Sequence, residues 1–422
     1  MEARLFSLFD IAAMLLVLAA GFAWLNHRMF HLPSSIGLLS MGLVASLALV
    51  LLDVLVPQQA LYRNVTQVLR EIDFSATVMD GLLAFLLFAG ALHFDIGALR
   101  GRAVPVALMA TLGTLVSTAV IGFAVWGLSG PLGHPVPLAW ALVFGALISP
   151  TDPVAVIGTL QAVQVPAALE TDMKGESLFN DGVGVVVFTL LLAVAQGREA
   201  SVAGVAELFA REALGGAALG ALTGWVGYAM TRQVDEYAVE VMLSLGLATG
   251  TYALAQGLGS SGPIAVVVAG LVLGNRGARL GMSERTRRYV FGFWDVIDQV
   301  LNAVLFLLIG LEVLVMRFDG AFLPLALASV PLALLGRLVA VAGSVTLLRR
   351  FVDFVGGTIP VLVWGGLRGG ISVALALGLP ERPEKPGILA ATYAVAVFSI
   401  LVQGGSLGPV ARRSTRRPAP AG

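Results

Sequence analysis

Two strings in this 422-residue chain place acids and hydroxyls where only apolar side chains are expected. They are Ser149-Pro150-Thr151-Asp152-Pro153 and Gly175-Glu176-Ser177-Leu178-Phe179-Asn180-Asp181-Gly182. A lone carboxylate inside a bilayer is costly enough that Asp152, Glu176 and Asp181 are functional candidates by default. On a helix, Ser177 and Asp181 stand four residues apart on one face, and Asn180 shares the adjoining face with Glu176. A small dehydrated cation needs hard oxygen ligands. Thr151, Asp152, Ser177 and Asp181 could supply them, together with backbone carbonyls freed by the two prolines. The same carboxylates take protons, so proton and metal ion would compete for Asp181. A third string, Gly365-Gly366-Leu367-Arg368-Gly369-Gly370, carries one guanidinium, which cannot discharge itself and needs an anion. Glu176 is the expected partner of Arg368, leaving Asp152 and Asp181 for the ion. Arg337, the other cation within an apolar run, has no evident partner.

The elements that hold these strings are membrane helices. The chain is 58% hydrophobic and 12% charged, with 50 Gly and a mean hydropathy of +0.90; ordinary soluble domains carry about 25% charged residues. Runs suited to crossing a bilayer fall at roughly 8–26, 36–56, 77–98, 103–128, 137–162, 173–196, 206–230, 237–256, 262–274, 291–316, 321–347, 358–379 and 388–410. The expected fold is therefore an all-α polytopic membrane protein of about thirteen helices, the ninth being short. The first run lacks a basic n-region and a small-residue cleavage site, and Asn26-His27-Arg28 follows it, so it reads as a retained helix. With no cysteine, neither disulfides nor thiolate ligands contribute.

Sixteen Lys and Arg side chains fall on one side of this arrangement and eight on the other, which puts the N-terminus outside and the C-terminus in the cytoplasm. Helices five and twelve are each broken and each break carries one charge. If 8–196 and 237–410 form two inverted six-helix repeats linked by 206–230, these helices occupy matching positions, and their breaks meet near the midplane. Residues 1–412 form the membrane domain and 413–422 a short cytoplasmic tail.

Pro150-Thr151-Asp152-Pro153, Gly175 through Gly182, Phe293-Trp294, the run Leu301-Asn302 through Gly310-Leu311-Glu312, and Gly365 through Gly369 together resemble NhaP-type sodium/proton antiporters of the monovalent cation:proton antiporter-1 family. The likeness extends over almost the whole chain. It implies a homodimer in which a core domain moves against a dimerisation domain. Asp181 would carry Na+ or Li+ in exchange for H+, assisted by Thr151, Asp152 and Ser177. Glu176 would pair with Arg368, and Asn180 would be the neutral member of an Asn-Asp pair associated with electroneutral exchange. No cofactor and no nucleic acid are implied. The implied location is a bacterial cytoplasmic membrane. One position departs from the pattern: Ala89 stands where family members often carry Glu.

Several residues read as ordinary. His27, His31, His93 and His134 lie near helix ends and suit interfacial packing. Arg276 to Arg288 reflect topology. Asp295, Asp298 and Glu312 fit a solvated or interface face rather than an ion path. Asn64-Val65-Thr66 matches a glycosylation acceptor, a pattern common by chance. A potassium/proton exchanger is the nearest alternative function, because the oxygen ligands do not fix cavity size. An intramembrane hydrolase using Asp152 and Asp181 would leave Asn180, Ser177 and Arg368 without a role. A channel lacks a filter-like loop.

Overall fold

Apolar runs about 20 residues long become helices in a bilayer because lipid offers the backbone no hydrogen-bond partners. Eleven helices among the described residues have the required length and hydropathy, and the two remaining runs are broken. The structure is a computed structural model that describes residues 8–55, 66, 74–152, 156, 160–161, 163–197, 202–314 and 320–415. In chain order the first helices are α1 (Phe9–Phe30), α2 (Ser34–Asp53), α3 (Phe74–Leu92) and α4 (Ala103–Ser129). Next come α5 (Leu138–Ile148) and α6 (Ala167–Ala195), α7 (Glu207–Thr231), α8 (Tyr237–Gly257), α9 (Gly262–Leu280), α10 (Glu284–Glu312) and α11 (Gly320–Leu348). After the split pair α12a (Thr358–Trp364) and α12b (Gly370–Leu377), α13 (Lys385–Thr415) ends the described chain.

Helices α6, α9 and α10 outrun their apolar stretches because local contacts satisfy the added polar groups. The extra turns of α6 hold Glu170, whose carboxylate is 2.6 Å from the Lys174 ammonium, and Asp172, which is paired with Arg102. Helix α10 starts at a Ser283 cap whose hydroxyl accepts from the Thr286 amide at 3.3 Å. The ninth helix, expected to be short, continues to Leu280. Asn275 carries it onward: its amide donates to Leu271 O and to Phe94 O of the neighbouring segment, both at 2.9 Å.

Two bundles result. Helices α1, α2, α3, α7, α8, α9 and α10 pack together, and α4, α5, α6, α11, α12a, α12b and α13 form the second group. Trp294 and Phe88 sit at the centre of the α3–α9–α10 contact. Trp140, Phe144 and Leu147 fill the space between α4, α5 and α13. Within lipid such contacts depend on close packing rather than hydrophobic exclusion, which favours small residues. Gly42 and Gly310 illustrate this: a Cβ on Gly42 would lie 3.1 Å from Gly310 Cα, so α2 and α10 approach almost backbone to backbone. The bundles meet where α6 touches α9, α2 touches α13, and α12b touches α3 and α10.

Candidate functional site

The proline and glycine breaks face each other. The Asp152 amide donates to Leu367 O at 2.8 Å, and the two segments run antiparallel at that point. Gly369 lies so close to Asp152 that a Cβ there would overlap the carboxylate. Asp152 thereby sits at the entrance to α12b, whose unpaired first amides favour an anion. Pro153, the last residue of the first string, lies outside the described residues.

The carbonyls freed at the first break do not turn to an ion as expected. Arg368 takes them, its Nη1 donating to Ser149 O at 2.9 Å and to Pro150 O at 3.0 Å. A cation thus caps the negative end of α5. The Arg368 amide is held in turn by the Ser399 hydroxyl at 2.9 Å. At the second break, Gln403 donates to Trp364 O at 3.0 Å.

Glu176 does not pair with Arg368. It receives both Nη groups of Arg337, one of them at 2.9 Å from Oε2. Arg337 also donates from Nε and Nη2 to Leu362 O at 3.1 and 3.0 Å. Both side chains are buried, at 2% and 5% exposure for Glu176 and Arg337. The physical reason for the different pairing is reach: α11 brings a two-pronged guanidinium edge-on to the carboxylate, whereas Arg368 is already spent on the end of α5. The pair ties α6 to α11 and to the last turn of α12a. The Arg368 guanidinium instead bonds backbone carbonyls.

Thr151, Ser177 and Asn180 form one buried network. Asn180 Nδ2 donates to the Thr151 hydroxyl at 2.9 Å, the Thr151 amide donates to Asn180 Oδ1 at 3.3 Å, and the Thr151 and Ser177 hydroxyls are 3.0 Å apart. The amide of Asn180 is therefore committed to holding the break in shape. Asp152 and Asp181 line a cavity of about 1640 Å³ between the bundles, together with Pro150, Gly369 and Ser372. Thr151 and Ser177 stand behind that wall. The cavity extends to the end of the molecule marked by His31, His93, Lys174 and Arg412. Among the described residues no three His, Cys, Asp or Glu converge as a metal centre would require.

Comparison with known proteins fits this geometry. The family model for the transmembrane sodium/hydrogen exchanger matches residues 14–413. The chain is a member of the sodium/hydrogen exchanger family. The exchanger is 46% identical over 409 residues to the Na(+)/H(+) antiporter NhaP of Pseudomonas aeruginosa, covering 96% of each chain. It is 36% identical to the Na(+)/H(+) antiporter NhaH of Halobacillus dabanensis, over 90% of this chain and 92% of that one. Its fold matches the solved structure of the sodium proton antiporter MjNhaP1 from Methanocaldococcus jannaschii with a TM-score of 0.73, covering 96% and 98% of the two chains at 20% identity.

Sequence reasoning underrated one wall of the exchanger's cavity. Asp295, Asp298 and Asn302 of α10 line it, as do His93 and Ala89. His93 is engaged rather than merely packed: Nε2 lies 3.0 Å from Asp295 Oδ1 and Nδ1 lies 2.8 Å from Ala89 O. His134 does pack, against Phe322 at 4.6 Å. Glu312 is buried. The available signal for Asp298 was its four-residue spacing from Asn302 on one face of the helix. Asn64 of the glycosylation pattern lies outside the described residues.

Proposed function

We propose that the exchanger moves Na+, or Li+, out of the cytoplasm against one external H+, with Asp181 as the shared binding group. The single observation that carries this reading is that Asp152 and Asp181, from two different segments, face one cavity between the bundles at the crossing of two broken helices. Either ion can neutralise Asp181. A vacant, charged site resists transfer through the low-dielectric contact between bundles, while a loaded one crosses more easily. That difference couples the two ions without requiring both to be bound at once. Thr151 and Ser177 hydroxyls would complete the oxygen shell when the network around Asn180 adjusts.

Stoichiometry follows from which charges are free to change. Asn180 is neutral, and Glu176 is occupied by Arg337. With Asp152 retaining its charge state through the cycle, one exchangeable carboxylate gives one cation per proton. Inverted repeats spanning 8–196 and 237–410, assembly as a homodimer, and a cavity open to the cytoplasm of a bacterial inner membrane belong to the same reading; the antiparallel crossing of the breaks supports the first. The potassium alternative draws no support from the relatives, whose names give sodium and protons. Membership of an exchanger family removes the hydrolase.

Moving net charge would link each cycle to about 2.3 kcal/mol per 100 mV. Valinomycin-clamped proteoliposomes should therefore reach the same sodium distribution at zero and at strongly negative potential. A voltage-dependent end point would require a second proton carrier, with Asp152 the first candidate.

A further inference from the structure

We infer that Asp298 is a cation-positioning residue on the wall opposite the ion site, raising the local concentration of Na+ presented to Asp152 and Asp181 from the cavity's open face. The inference rests on the sodium/proton reading above. Asp298 lines the same cavity as the two site carboxylates but belongs to the other bundle. Asn302, one helical turn on and itself buried, fixes it by donating from Nδ2 to Asp298 Oδ1 at 3.0 Å and to Asp298 O at 2.9 Å. A neutral amide orients the carboxylate without cancelling its charge.

The other charges along the cavity are differently placed. Asp295 is matched by His93 at 3.0 Å, and Lys174 by Glu170 at 2.6 Å. Arg412 lies in the last turns of α13, away from the crossing. With these pairs set aside, Asp298 lines the deep part of the cavity together with Asp181, so that part carries acidic side chains from both bundles. A low-dielectric cleft focuses such a field and enriches counter-ions. Because Asp298 sits on the bundle that lacks the ion site, its influence belongs to the state in which this cavity is open. A negative charge attracts protons on that face as strongly as Na+, so it changes affinities without changing the equilibrium ion ratio.

The test uses the full-length exchanger in everted and right-side-out membrane vesicles at pH 8, with Na+ added outside and luminal pH followed by fluorescence. In everted vesicles, which present the cytoplasmic face, D298N should raise the half-saturating Na+ concentration about three- to tenfold. The maximal rate should stay within about twofold, because the amide still accepts from Asn302. In right-side-out vesicles the half-saturating concentration should stay at the wild-type value, and D298E should restore it on the everted side. An equal rise on both faces, or no rise on either, overturns the inference. Equal loss of maximal rate in D298N and D298E does so too, since it marks a structural role. Wild-type vesicles silent to Na+ would overturn the sodium/proton reading along with it, whereas active wild type and an unaffected D298N overturn the inference alone.

Discussion

Removing either member of the Glu176–Arg337 pair should destabilise the exchanger, and removing both should recover most of the loss. Breaking a buried pair strands a charge at a cost of about 3–5 kcal/mol. The two single variants should differ because their partners differ. In E176Q, Arg337 keeps Leu362 O, to which Nε and Nη2 donate at 3.1 and 3.0 Å. In R337M, Glu176 is left at 2% exposure without its hydrogen-bonded cation, and Leu362 O loses its donors for about 1 kcal/mol more. R337M is therefore the worse single variant. The double variant E176Q/R337M strands no charge and should lie only about 1–2 kcal/mol below wild type, leaving a favourable coupling of about 3 kcal/mol or more. Melting followed by tryptophan fluorescence in detergent, at one protein and lipid concentration, measures the series. E176Q combined with R368M serves as control and should show a much smaller coupling, because Arg368 is held by the Ser149 and Pro150 carbonyls. A double E176Q/R337M variant that melts no higher than R337M, or a coupling of Glu176 to Arg368 instead, would refute the pairing.

Gly369→Ala forces a methyl group into the Asp152 carboxylate, at a cost of about 1–3 kcal/mol, so sodium-driven proton movement should slow markedly while the protein still elutes as a folded species; a wild-type rate would mean Asp152 need not sit at the crossing. Competition at one carboxylate predicts that activity on the acid side is limited by protons occupying the site. Tenfold more Na+ should then extend activity by about one pH unit toward acid, read from initial rates in proteoliposomes, and an acid limb indifferent to Na+ would indicate a separate pH sensor.

Where Pro, Gly and charge interrupt an apolar run, the sequence announces its own site. Pro150 and the paired glycines around Arg368 mark both breaks, because neither residue type sustains a regular helix and lipid cannot satisfy what they expose. What the sequence could not rank was two arginines against one glutamate. Arg337 and Arg368 have the same chemistry, and the choice depends on which helix brings its guanidinium edge-on to Glu176. The fate of the Ser149 and Pro150 carbonyls was hidden for the same reason: they face a cation from a helix break more than two hundred residues away. Asp295 and Asp298 expose a different limit. A polar stripe on a helix says that the stripe avoids lipid, but not whether it meets bulk water or an internal cavity. Asn275 shows how one side chain can extend a helix past its apolar run by bonding back to Leu271 and across to Phe94.

The claim that Asp181 is the group shared by Na+ and H+ is tested most directly by Asp181→Asn in proteoliposomes, with luminal pH followed after Na+ addition. The amide keeps the shape of the side chain but neither binds a proton nor offers charge to the cation. The account predicts no sodium-dependent proton movement in the variant, at any pH or Na+ concentration at which wild type is active, with the melting temperature not lowered, because a buried charge has been removed. Exchange near the wild-type rate in this variant would contradict it.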